Sequence, residues 1–333
     1  MSTADAPLPD DRPSTPDEGE LPIRVGISAC LTGEEVRFDA GHKRDNYIMG
    51  TLARYFELVP YCPEVAIGLG TPRPPIRLVG SPEAPRARGT RDPALDVTEA
   101  LDTYGLAVGE ASGDLSGYIL KRGSPSCGME RVKVYLENGH PGGQGRGVYA
   151  RALMDAQPLL PVEEEGRLGD PVLRENFIER VLVYHRWQSL ARNGLTADAV
   201  VRFHTDHKLL VMAHSQEAYR RLGRMVADAG RRELPELAAE YIAALMAALG
   251  RRVKRGQHVN VLLHLLGYLK SHLDAGDKAE LLETFEAYRH GRLPLIVPIT
   301  LLKHHFRRHP EPYVERQVYL SPHPAELMLR NWL

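Results

Sequence analysis

The stretch "IRVGISAC", residues 23–30, decides the reading of the fold. It is a short apolar, β-branched run that stops at a cysteine, the pattern of a buried strand leading into a loop. "LVPYC" (58–62) repeats it, and "LSGYILKRGSPSCG" (115–128) repeats it again with a longer turn before the cysteine. Between these lie "NYIMGTLARYFE" (46–57), with helical spacing, and "TEALDTYGLAVGEAS" (98–112), helical apart from its glycines. "RVKVYLENG" (131–139) reads as a further strand or an extended loop. Strand, helix, strand, helix, strand predicts an α/β domain with a mainly parallel, Rossmann-like sheet. In such sheets ligands bind beyond the carboxyl ends of the strands. All three cysteines of the chain, Cys30, Cys62 and Cys127, fall at such ends.

Working outward, the first 21 residues are Pro-rich and acidic, without the basic and apolar regions of a signal peptide, and read as a disordered tail. No apolar run approaches the roughly 20 residues of a membrane span. Three scattered cysteines do not suggest a disulfide framework. A cytoplasmic protein with no membrane association and no obligate protein partner is expected. From about residue 170 the texture changes. The segments 170–192, 196–214, 215–230, 234–250, 256–273 and 277–291 carry period-3.6 apolar spacing. Asp170 before Pro171 fits a helix cap with proline at the first position, and Thr196 fits a second cap. The expected organisation is a tail (1–21), an α/β domain (22–165) and an all-α C-terminal domain (170–333), closed by a Pro-broken segment (312–327) that wraps over the helices.

Charge is uneven. Residues 170–333 hold 24 Lys and Arg against 18 Asp and Glu, whereas residues 1–169 hold 18 against 25. Twelve of the 14 histidines lie in the second half. Such a balance suits either a solvated surface or a phosphate-bearing partner. His204, Asp206 and His207 could mimic a metal site, but they read better as a buried polar network or a nucleic-acid contact.

The cysteines admit three readings. Each could be a small buried hydrophobe. Together they could bind zinc, although the paired spacing usual in structural zinc sites is missing. Or three thiolates from three strand ends could hold an iron–sulfur cluster and leave one iron open, short of the usual four protein ligands.

The strings Ser28-Ala-Cys30-Leu, Val36-Arg-Phe-Asp39, His42-Lys-Arg44, Cys62-Pro-Glu64 and Ser124-Pro-Ser-Cys127-Gly128 resemble the TudS-type thiouracil desulfidase family over about residues 22–165. "HTDHKLLVMAHS" (204–215), "VPITLLKHHFRR" (297–308) and "QVYLSPHPAELMLRN" (317–331) resemble the helical domain often fused to it. The fused form resembles RudS-type proteins, which remove sulfur from 4-thiouridine in transfer RNA. The resemblance implies a [4Fe–4S] cluster on Cys30, Cys62 and Cys127, one that can be absent from material prepared in air. It implies Glu64 as acid/base group and Ser124 as a helper near the open iron, which would bind the substrate sulfur while water attacks carbon. Ser126 is expected to shape the cysteine loop or contact substrate. Asp39 is expected to meet the pyrimidine edge or to cap a turn. The family usually has Tyr-Asp-Gly where this chain has Phe38-Asp39-Ala40, so a tyrosine hydroxyl is lacking there.

On this reading the reaction is non-redox conversion of 4-thiouridine in transfer RNA to uridine. Alternatives are a desulfidase of free thiopyrimidines and, from another class, an RNA-binding or redox-sensing iron–sulfur module. Candidate phosphate contacts are Lys43, Arg44, Lys121 and Arg122 beside the cysteine loops. In the helical half they are Arg252, Lys254, Arg255, Lys303, Arg307 and Arg308. In an extended Cys62-Pro63-Glu64 segment the two flanking side chains would point the same way, since strand periodicity is two.

Overall fold

The computed structural model describes residues 22–332, so the acidic segment 1–21 lies outside the described residues. The first strand, β1 (Arg24–Ser28), leads through α1 (Asn46–Gly50) to β2 (Glu57–Tyr61) and the short α2 (Pro63–Ala66). A hairpin, β3 (Ile76–Ser81) and β4 (Ala84–Gly89), precedes α3 (Thr98–Ala111) and β5 (Leu115–Leu120). A second pair, β6 (Val132–Tyr135) and β7 (Pro141–Gly145), precedes α4 (Val148–Ala156) and β8 (Val162–Glu164).

β2, β1, β5 and β8 lie side by side in that order, and every pairing is parallel. The chain adds β2 on one side of β1 and then crosses to add β5 on the other. This is the strand order of a doubly wound sheet, with its switch point between β1 and β5. The expected parallel sheet is therefore present. A second, four-stranded sheet in the order β4-β3-β6-β7 was not anticipated as a unit. Its two outer pairings are antiparallel and only β3 and β6 run parallel. The segment 131–139, left open between strand and loop, supplies β6. The helix expected over 46–57 is shorter: α1 ends at Gly50 and a 3-10 turn covers Leu52–Arg54.

The two faces of β5 show why the layers stack as they do. Successive strand residues point to opposite faces. On one face Gly117 leaves room for a helix, since a Cβ there would lie 2.6 Å from Val181. On the other, Tyr118 is fully buried and shares a hydrogen bond of 2.9 Å with Tyr149 of α4. The glycines that interrupt the helical pattern of α3 serve its packing. A Cβ at Gly105 would come within 2.7 Å of Ala152, and one at Gly109 within 2.5 Å of Ala156.

Val181 belongs to α5 (Pro171–Arg192), which Asp170 caps by accepting from the amides of Val172 and Leu173. After it come α6 (Ala197–His214), α7 (Gln216–Ala227), α8 (Leu234–Leu249), α9 (Arg255–Tyr268), α10 (Ala275–Arg289), α11 (Ile296–Arg308) and the short α12 (Pro312–Glu315). Among the described residues from 170 onward no strand occurs, as the periodicity requires. Thr196 caps α6 through the amide of Ala199. Helix α5 joins the two halves. Phe177 and Val181 face the sheet, while Trp187 meets Phe203 and Tyr241 with ring centroids 5.2 and 5.5 Å apart. No helix among the described residues is long and apolar enough to cross a membrane.

Near the end of the described chain, buried Arg330 donates to Glu175 of α5 at 2.8 Å and to the carbonyl of Tyr319 at 2.6 Å. Burial would raise the Glu175 carboxyl, but His323 and Arg330 hold it down at about 2. Removing one partner of a buried pair strands the other, so Arg330→Met should cost about 3–5 kcal/mol in urea unfolding.

His204 and His207 lie inside the helical half, with Nδ1 bonded to the Tyr241 hydroxyl and the Phe203 carbonyl respectively. Asp206 pairs instead with Arg316 at 2.8 Å, so the three have separate partners, and no metal-holding group of side chains occurs among the described residues. Burial lowers the histidines to about 4 and about 3. Both are neutral when folded, whereas the unfolded chain takes up protons below about 6.5. Stability should therefore fall as the pH drops from about 6.5 towards 4, by up to about 1.4 kcal/mol per pH unit for each histidine. The urea midpoint followed across that range checks the sign.

Candidate active site: a three-cysteine cavity

Because β1, β2 and β5 run parallel and adjacent, their carboxyl ends open on one edge of the sheet. Cys30 sits in a 3-10 turn (Ala29–Leu31) directly after β1, Cys62 follows β2, and Cys127 closes the loop after β5. All three line one cavity of about 380 Å³, together with Glu64, Ser124, Ser126, Lys43, Lys121 and Arg122. Arg37, Phe38, Tyr61 and Arg73 complete much of its wall.

The stretch from Cys62 to Glu64 is not extended. Cys62 has strand-like angles (φ −122°, ψ 99°) and caps α2, whose first position is Pro63. Proline fixes φ near the helical value and has no amide to satisfy, so a helix starts there readily. Glu64 lies in the first turn and still reaches the cavity that Cys62 lines.

Glu64 is the joint of the site. Its Oε1 accepts from Ser126 Oγ at 2.5 Å and its Oε2 from Arg73 Nε at 2.8 Å. Ser126 is fully buried and lies 2.9 Å from Ser124 Oγ. The direction of this chain follows from counting protons. A carboxylate only accepts, so Ser126 spends its one hydroxyl proton on Glu64. Ser124 Oγ in turn accepts from the amides of Ser126 and Cys127, at 3.3 and 3.1 Å. The Ser124 hydroxyl therefore donates to Ser126, and the row points from Ser124 through Ser126 to Glu64.

The thiols sit in walls that disfavour their charge. Burial pushes Cys30 up to about 11, against the opposing pull of Lys121 and Arg37. Burial also raises Cys62, and it raises Cys127 further, with the charge of Glu64 adding to the effect. Desolvated thiols of this kind are inert on their own, and a bound cation inverts the balance. Among the described residues no three His, Cys, Asp or Glu side chains form a ready cage for a single metal ion. The cysteines surround a cavity and not a point. Three soft donors without a fourth protein ligand suit a polynuclear iron–sulfur group with one open position, so the residues present fit the cluster that the resemblance implies.

The other expected residues divide. Asp39 is not part of the cavity lining; its Oδ1 accepts from the Gly41 amide at 3.2 Å and lies 3.5 Å from Arg37 Nε. It closes a tight turn in which Ala40 takes φ +55°, a left-handed geometry that glycine adopts more readily. Lys121 is paired with Glu165, and Arg44 donates to Asn46 outside the lining. Arg252, Lys254 and Arg255 are exposed around the start of α9, and Arg307 and Arg308 at the end of α11, where Lys303 donates to Ser321. None of these six lines the cavity. Arg73 was not singled out by its sequence setting. Its one signal is a lone cation in a Gly- and Pro-rich loop shortly after a carboxylate.

Comparison with known proteins matches two separate segments of the chain. A family model described as 2-thiouracil desulfurase matches residues 25–165. A second, described as a protein of unknown function (DUF1722), matches residues 208–324. The chain is 31% identical to the uncharacterized protein YbgA of Escherichia coli (strain K12), over 46% of this chain and 90% of that protein. It is 34% identical to the uncharacterized protein YbbK of Bacillus subtilis (strain 168), over 42% of this chain and 95% of that one. Among solved structures it is similar to a [4Fe-4S]-dependent thiouracil desulfidase, TudS, at 32% identity and a TM-score of 0.34, over 46% of this chain and 97% of that chain.

The Cys127 loop depends on close backbone contact with Gly147. A Cβ at that position would stand 2.5 Å from the Ser126 carbonyl oxygen and 2.8 Å from the Gly128 amide nitrogen. Gly147→Ala should destabilise the fold by about 1–3 kcal/mol. It should also speed reaction of Cys127 with a thiol reagent, as followed by mass spectrometry of the labelled peptide.

Proposed function

The chain belongs to the 2-thiouracil desulfurase family, and from that premise we propose that it converts 4-thiouridine in transfer RNA to uridine in the cytoplasm by a hydrolytic, non-redox reaction. The observation that carries the reading is one cavity walled by three cysteines, a carboxylate and two serines, at the carboxyl edge of a parallel sheet. A [4Fe–4S] cluster held by Cys30, Cys62 and Cys127 would supply, when bound, an iron without a protein ligand as a Lewis acid for the soft thiocarbonyl sulfur.

The chain's own groups manage water and protons. Water adds its oxygen to the thiocarbonyl carbon, the carbon–sulfur bond breaks, and sulfur leaves as hydrosulfide while a carbonyl remains. Glu64, its Oε1 oriented by the Ser126–Ser124 row, takes the proton released by the attacking water, and the second proton of that water leaves with the sulfur as hydrosulfide. Ser126, set between Ser124 and Glu64, acts as a bridge. Pro63 and the β2 end hold Glu64 beside Cys62, so base and cluster ligand arrive together. The base itself must leave its stack to enter a cavity of this size. Lys43 and Arg122 at the wall are suited to the flanking phosphates. The helical half, with its exposed cations on α9 and α11, would take more distant phosphates.

Glu64→Gln should lower kcat on thiolated transfer RNA by about 10²–10⁴-fold, with iron and sulfide content unchanged after anaerobic reconstitution. Loss of the near-ultraviolet band of 4-thiouridine reports the reaction. Survival of full turnover in that variant would remove Glu64 from the reaction, whereas a wild type that binds thiolated transfer RNA without turning it over would leave a binding or sensing module as the better reading. Substituting glutamate at Arg252, Lys254 and Arg255 should cut the ratio of transfer-RNA to free-nucleoside turnover by about tenfold or more at moderate salt. An unchanged ratio would point to free thiopyrimidines as the substrate.

A further inference from the structure

Arg73 is a buried arginine in a loop, its side chain 4% exposed. Burying a guanidinium is costly unless its donors are matched. Here all three nitrogens have acceptors. Nε donates to Glu64 Oε2 at 2.8 Å, and Nη2 lies 2.8 Å from the same oxygen. Nη2 donates to the Val36 carbonyl at 2.9 Å. Nη1 donates to the Gly70 carbonyl at 2.7 Å and to Thr71 Oγ1 at 3.3 Å. The backbone amide of Arg73 adds a bond to the Phe38 carbonyl at 2.9 Å.

These partners belong to different parts of the site. Val36 and Phe38 lie on the loop that follows Cys30, and the Cys62 thiol also donates to the Val36 carbonyl, at 3.7 Å. Glu64 in α2, and Gly70 and Thr71 in the loop after it, follow Cys62. Through Glu64 and Ser126 the same network reaches the loop of Cys127. The guanidinium occupies only Oε2 of the carboxylate. Oε1 is left to the serine row, and rotation of the carboxylate would break two charge-assisted bonds at once.

We propose that Arg73 is the positioning residue of this site, holding Glu64 with Oε1 turned to the Ser126–Ser124 row and tying the Cys30 loop to the Cys62 loop. Its kinetic consequence rests on the desulfuration proposed above, whereas its effect on the loops does not. Lysine cannot replace it, because an ammonium has three donors and no fixed fork.

The experiment compares Arg73→Met, Arg73→Lys, Glu64→Gln and both double variants as reconstituted holoproteins. Arg73→Met should lower kcat on the thiolated substrate by about 100-fold, the scale of a misplaced catalytic group, with KM changed by less than about threefold. Adding Glu64→Gln to it should cost no more than about a further threefold, because groups that act as one unit are not additive. Arg73→Lys should recover at most part of the loss. Independent, multiplying losses, or wild-type kcat in Arg73→Met, would overturn the proposal. If Arg73→Met does not fold, Arg73→Lys in the same cycle decides.

A second readout does not need turnover. Amide hydrogen exchange at residues 33–38 should quicken by about tenfold or more in the Arg73 variants, while β5 is unchanged. Should the wild type act on no thiolated pyrimidine, the functional reading fails, and exchange alone judges Arg73. Unaltered exchange in that loop would refute it.

Discussion

Parallel pairing of β1 with both β2 and β5 is the constraint from which the rest of this molecule follows. Parallel strands all end on the same edge, and adjacent ones end within a side chain's reach of each other. Three cysteines separated by 32 and 65 residues in the chain thereby line one cavity. The sheet can run parallel only if both faces are covered. That is the work of α3 and α4 on one side and α5 on the other, with Gly117 admitting α5 and Tyr118 anchoring α4. The helical half enters the architecture through that same α5, so the layer that completes the sheet also carries the second domain.

Within the edge, a single carboxylate joins what the sheet has gathered. Glu64 takes Arg73 on one oxygen and Ser126 on the other. The loops of all three cysteines are thus linked by short, directional bonds in a partly desolvated cavity. In such surroundings charge-assisted bonds are strong and an unmatched polar group is expensive. Every side-chain nitrogen of Arg73 has an acceptor, and the serines are aligned in one direction. The thiols alone are held uncharged by burial, and a soft cation bound among them would favour their charged form. Rigidity of the polar frame and readiness of the sulfurs are two results of the same exclusion of water.

Legibility differed between elements for physical reasons. The long helices were plain because each has a 3.6-residue apolar stripe, and four have side-chain caps, Asp170, Thr196, Ser215 and Asp274, that bind the first amides. The central strands were plain because they are buried on both faces and read as continuous apolar runs. The β3–β4 hairpin was missed because Gly, Pro and Arg interrupt its pattern, and its pairing gains strength only from β6 beside it. The convergence of Cys62 and Glu64 follows from the sequence only if the segment is extended, and proline at a helix start is the signal for the geometry the fold adopts. Both geometries bring Glu64 to the cavity, so the site is the same. Asp39 had two readings, and the hydrogen bond with Gly41 is that of a turn.

What the sequence determined by itself is local: which segments are strands or helices, where the cysteines stand relative to strand ends, and which motifs the chain shares with thiouracil desulfidases. These depend on side-chain period and on neighbours a few residues away. What only the tertiary structure decided is the polarity of the Ser124–Ser126–Glu64 row and the place of Arg73 behind the carboxylate. A hydrogen bond's direction depends on every other donor and acceptor at the same atom, and those partners come from loops that meet only once the sheet has formed.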